Sequence, residues 1–137
     1  MTIFEFLKIY FSALTFFFVI DMVWLLAIAR NFYREQLGDL FTKQIIWPAA
    51  IVFYLLFVAG IVLFAVSLAI EKNSLLIALF YGALFGLISY ATYDLTNLAT
   101  IKNWPLTMTI VDLTWGTILS SVVATSTYLL IKWFSLV

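Results

Sequence analysis

Residues 45–98, IIWPAAIVFYLLFVAGIVLFAVSLAI-EKN-SLLIALFYGALFGLISYATYDLTNL, decide the fold. The first part, Ile45 to Ile70, is 26 residues without a charge. At ~1.5 Å of rise per residue such a helix is long enough to cross a hydrocarbon layer of ~30 Å with some tilt. Only Glu71-Lys72-Asn73 separates it from the next apolar run, Ser74 to Leu98. A connection that short forces the second helix to return beside the first, as an antiparallel hairpin. Working outward, an upstream apolar run from Tyr10 to Ala29 is broken only by Asp21, and a downstream one from Thr107 to Ile131 ends at Lys132-Trp133. The reading is an all-α polytopic membrane protein: four transmembrane helices, about 10–29, 45–70, 74–98 and 107–131, in one antiparallel bundle.

Composition narrows the function classes. The 137 residues are 66% hydrophobic and 10% charged, leaving too little polar surface for a soluble domain of this size. A net charge of zero argues against nucleic acid as a partner. Without cysteine or histidine the chain has no thiolate nucleophile, disulfide, histidine proton shuttle or conventional zinc or haem ligand. No metal site or cofactor is expected. The Ala27-Ile28-Ala29 triplet mimics a signal-cleavage site, but the long hydrophobic run, Asp21 within it and Glu5 ahead of it favour a retained span.

The connections carry the remaining topology. Arg30 to Gln44 holds Arg30, Arg34, Glu35, Asp39 and Lys43 and reads as a solvated polar loop; Ala99 to Leu106 is the second connection on that face. Trp47-Pro48 and Trp104-Pro105 each open an even-numbered span, where proline is tolerated and tryptophan suits the interface. Both termini fall on the opposite face. Arg30, Arg34, Lys43 and Lys102 against Lys8, Lys72 and Lys132 give a narrow vote for cytoplasmic loops, and the near balance also fits dual topology.

Three aspartates stand inside the spans, and an ionisable group at that depth costs at least a few kcal/mol, which makes it a site candidate. From the expected span ends, Asp94 lies roughly 6 Å, Asp112 about 8 Å and Asp21 about 12 Å from the loop face. Tyr90, Tyr93, Asp94 and Asn97 share one helical face by their 0, 3, 4, 7 spacing, and Gly82 and Gly86 extend that stripe as a tight crossing. The phenols and the amide are suitable donors to a carboxylate. Span 4 answers with Thr109, Asp112, Gly116 and Ser120, beside Trp115; in span 1, Asp21 and Trp24 share a face. Span 2 reads as scaffold, with Tyr54 its one notable polar group. The candidate ligand, ion or proton site is therefore Asp21, Asp94, Asp112, Tyr90, Tyr93, Asn97, Trp24 and Trp115. Asp112 lies near a helix N-terminus, whose dipole favours its charge, and Asp94 near a C-terminus, whose dipole opposes it. The plain alternative for these polar stripes is interhelical hydrogen bonding that fixes the bundle.

The block from Tyr90 to Asn97, followed by Trp104-Pro105 and Asp112-Leu113-Thr114-Trp115-Gly116, resembles a bacterial family of small four-helix membrane proteins catalogued as a domain of unknown function. The resemblance spans essentially the whole chain, Asp21 and Trp24 included. It implies the bacterial inner membrane, and an expected proximity to lipid-modifying genes points to lipid-related roles; it implies no specific activity. Three functions stay open. A carrier or binding protein would hold a small cation, a proton or a hydrophobic ligand in an acidic vestibule. An intramembrane enzyme would use Asp94 and Asp112 as acid and base on a lipid or hydrophobic substrate. An accessory subunit would use the polar residues to join a partner or a second copy as a homo-oligomer.

Overall fold

The computed structural model describes residues 1–136, and every regular element among them is helical. Helix α1 (Ile3–Val23) starts at a capping box: Thr2 Oγ1 accepts from the Glu5 amide at 3.2 Å, and Glu5 Oε2 accepts from the Thr2 amide at 2.6 Å. It runs through a π-helical segment, Trp24–Ala29, into α2 (Arg30–Leu37) and ends in a 3₁₀ turn, Gly38–Leu40. The first helical run thus covers Ile3–Leu40, which differs from the expected span of 10–29 and replaces most of the expected Arg30–Gln44 loop. The reason is local. Residues 30–37 lack glycine and proline, and Phe32, Tyr33 and Leu37 half-bury on one side, so the helix continues until Gly38, whose φ of +51° stops it. The polar network expected of Arg30, Glu35, Asp39 and Lys43 does not form as ion pairs. Among the described residues the salt bridge is Glu71–Lys72, 3.1 Å and exposed.

The second span is α3 (Trp47–Ile61), a π segment Val62–Val66 and α4 (Ser67–Glu71); α5 (Leu75–Thr100) and α6 (Leu106–Trp133) form the third and fourth. Ser74 caps α5, its Oγ accepting from the Ile77 amide at 3.4 Å. At that end Tyr128 donates to Asn73 Oδ1 at 3.3 Å, and Lys8 Nζ reaches the Leu136 carbonyl at 3.2 Å, joining both terminal segments on one face. Helix α6 packs on both α1 and α5, the second π segment packs on α5, and α3 closes the ring against α1.

The bundle is held where apolar and small residues meet. Ile9, Ala13 and Phe17 of α1 pack with Val58, Ile61, Val62 and Val66 of the second span and Leu119, Val123 and Ala124 of α6. The α5–α6 crossing depends on glycine. A Cβ at Gly82 would lie 2.8 Å from both Ala124 Cβ and the Ser120 carbonyl oxygen; one at Gly86 would run into the Gly116 carbonyl oxygen. Large apolar side chains such as Leu26, Leu56, Phe64, Leu76 and Phe80 cover the outside, and all four long helices are apolar enough to cross a membrane. An apolar exterior suits lipid, where helices satisfy their own backbone groups.

Candidate functional site

The helices part towards the loop face and leave a cavity of about 640 Å³. The first helical run supplies Asp21, Trp24, Leu25 and Tyr33, and Phe41 follows it; α3 supplies Ala50, Phe53 and Tyr54; α5 supplies Ser89, Tyr90 and Tyr93; α6 supplies Asp112 and Trp115. Glycine shapes this wall as well. A side chain at Gly116 would overlap the Tyr90 ring, which uses that space to lie against α6.

Two carboxylates meet the cavity, each backed by aromatic donors. Tyr33 donates its hydroxyl to Asp112 Oδ1 at 2.5 Å and accepts from Trp24 Nε1 at 3.1 Å. Trp24 in turn stacks on Trp115, with ring centroids 4.3 Å apart and planes within 9°. Trp115 donates from Nε1 to Asp21 Oδ1 at 3.4 Å, and Tyr54 lines the same cavity as Asp21. A continuous path therefore runs Asp112–Tyr33–Trp24–Trp115–Asp21, tying the first and last spans together. Tyr90 lines the same cavity as both acids.

Asp94 stands behind this wall. It is fully buried, it does not line the cavity, and neither of its oxygens accepts from an N–H or hydroxyl among the described residues. The polar group in hydrogen-bonding reach is the Asp112 carboxyl. Two neighbouring carboxyl groups can bond only by sharing a proton. Asp112 faces the cavity and Asp94 stands behind it.

Of the eight residues singled out by sequence, Asp21, Asp112, Tyr90, Tyr93, Trp24 and Trp115 surround the cavity, Asp94 supports it, and Asn97 lies outside its lining. The expectation that Tyr90, Tyr93 and Asn97 donate to Asp94 does not hold. Successive helical residues point about 100° apart, so Tyr93 turns outward to 54% exposure while Asp94 turns fully in. Tyr93 instead meets Trp104 edge to face, centroids 5.6 Å apart. Trp104 is not an exposed interfacial tryptophan: it is buried and donates to Thr109 Oγ1 at 3.1 Å. Nor does the α6 dipole account for Asp112, which lies beyond the first turn of α6, where that effect fades. The Tyr33 hydroxyl takes its place.

Regular periodicity hides Tyr33. Twelve positions on from Asp21, a uniform α-helix would turn it about 120° away. A π-bulge inserts one residue without a compensating turn, which brings it back to about 20°. Segment Trp24–Ala29 provides that shift. Span 2 is more than scaffold, since its Tyr54 lines the cavity with Ala50 and Phe53.

Fold and cavity together define a small polytopic α-helical membrane protein. The chain belongs to the family described as "Predicted membrane protein (DUF2177)", which matches residues 6–129. No curated protein and no solved structure matches it.

Proposed function

We propose that this protein is an intramembrane binding protein of the carrier class, which takes an amphipathic small molecule into the cavity between its spans. One observation supports this above the rest: two carboxylates from different spans face a common cavity of about 640 Å³. Ligand sites commonly occupy ~300–1,000 Å³ and pair mostly apolar walls with a few placed polar groups. Polar residues serving only to glue helices would close on each other and leave no such space. As part of the same proposal the chain resides in the bacterial inner membrane, with the connections after α2 and α5 on the cytoplasmic side.

Quenching of tryptophan fluorescence tests the binding reading. In nanodiscs, spin-labelled apolar compounds should quench Trp24 and Trp115 saturably, and Ser89→Trp should fill the cavity and abolish the saturable part. Quenching that never saturates, or that Ser89→Trp leaves intact, counts as simple partition into lipid and overturns the proposal.

The Asp94–Asp112 pair favours one second reading. A carboxyl at the edge of an apolar cavity, with a second buried carboxyl behind it, is suited to act as general acid or base on a bound lipid. Membrane lipids of a deletion strain complemented with wild type or Asp94→Asn would then differ; identical lipid profiles remove this alternative.

A further inference from the structure

We propose that the cavity selects a lipophilic organic cation, a substituted ammonium or other onium ion with an apolar body; this rests on the binding reading above and names its ligand class. Eight of the thirteen lining residues are aromatic, so a bound molecule meets aromatic rings on most sides. Ring faces attract cations electrostatically, most strongly where water is excluded. The lining carries Asp21 and Asp112 and no lysine or arginine. Arg34 stands 6.0 Å over the Phe41 ring and is itself not part of the wall. An anion entering here would meet two acids with no basic side chain to receive it.

The same wall argues against other cations and against phospholipid headgroups. Hard metal ions take six to eight oxygen ligands, and no group of three acidic or other ligating side chains gathers among the described residues. A zwitterionic headgroup carries a phosphate, which calls for arginine or lysine partners absent from the lining. An onium ion needs neither. Its charge is spread and poorly hydrated, so ring faces and a carboxylate satisfy it. The long 3.4 Å contact from Trp115 leaves acceptor capacity on Asp21, since a carboxylate offers about four lone-pair sites.

The test uses two ions of matched shape and opposite charge, tetraphenylphosphonium and tetraphenylborate. Equilibrium dialysis against the full chain in nanodiscs, corrected with empty nanodiscs, should show saturable binding of the phosphonium and none of the borate. Asp21→Asn and Asp112→Asn should each weaken phosphonium binding about tenfold, and Asp21→Glu should retain it. Equal binding of both ions, or unchanged phosphonium binding in both asparagine variants, overturns the cation assignment and leaves the binding reading standing. If neither ion binds while a neutral apolar probe does, the assignment alone falls. If no probe of any charge binds saturably, both readings fall.

Discussion

Tyr33 and Asp112, 79 positions apart in the chain, meet in a 2.5 Å hydrogen bond that fastens the end of the first helical run to the last span. The bond is one step in a chain of five side chains that reaches Asp21 through the stacked pair Trp24 and Trp115. Without it α2 would be an amphipathic extension with little to hold it over the cavity.

Tyr33→Phe tests that role. The change keeps the ring and removes both the donor to Asp112 and the acceptor for Trp24. Orphaning such buried partners costs about 1–3 kcal/mol, so unfolding in detergent should shift by that much. A double-mutant cycle with Asp112→Asn should give a coupling of about 0.5–3 kcal/mol. Additive effects would show that the contact contributes nothing of its own.

Gly86→Ala should be harsher than its one added methyl suggests. The new carbon would press on the Gly116 backbone carbonyl, which cannot move aside without parting α5 from α6. Overpacking typically costs about 1–3 kcal/mol, and backbone contact puts this case at the upper end. Gly38→Ala makes the contrast, because nothing lies within 4 Å there and only its φ of +51° is strained. Thermal unfolding of the two variants should rank Gly86→Ala well below Gly38→Ala; the reverse order would mean that the crossing is not tight.

The sequence disclosed the bundle more readily than the site. Uncharged runs bounded by Glu71-Lys72-Asn73 carry their own length and direction, and the stripe of Gly82 and Gly86 carries the crossing, since both depend on regular helical repeat. Asp21 and Asp112 were legible because a charge inside a span is costly wherever it points. Which donors meet those acids was not legible. Tyr33 depends on a π segment that breaks the repeat, and Tyr54 depends on how α3 tilts against α1, which no spacing in a uniformly apolar helix reveals. Asp94 and Tyr93 show the converse limit: neighbours in a motif diverge by about 100° and end in different surroundings.

The Trp24–Trp115 stack gives a spectroscopic handle. Parallel indoles with centroids 4.3 Å apart should couple as an exciton pair in circular dichroism. Either Trp24→Phe or Trp115→Phe should abolish the couplet, whereas Trp47→Phe, on the exposed start of α3, should leave it unchanged. Each change also removes one indole hydrogen bond, that of Trp24 to Tyr33 or that of Trp115 to Asp21, so each should destabilise by about 1 kcal/mol, the usual net worth of one such bond. A couplet that survives both substitutions would place its source elsewhere.

Asp94→Asn separates a shared proton from a simple packing role. A bond between the Asp94 and Asp112 carboxyls can exist only while one proton is held between them. As the pH rises and that proton leaves, two carboxylates face each other out of water, and the native state loses stability. An asparagine at position 94 brings amide hydrogens that no change of pH removes, so it can donate to Asp112 throughout. Stability of the wild type should therefore fall towards alkaline pH by about 1–3 kcal/mol more than that of Asp94→Asn, whose curve should be flatter. Asp94→Leu controls for charge alone: it removes the repulsion and the donor together, and should be flat but lower. Parallel pH curves for wild type and Asp94→Asn would mean that the pair holds no titrating proton, and that Asp94 serves only to fill space between α5 and α6.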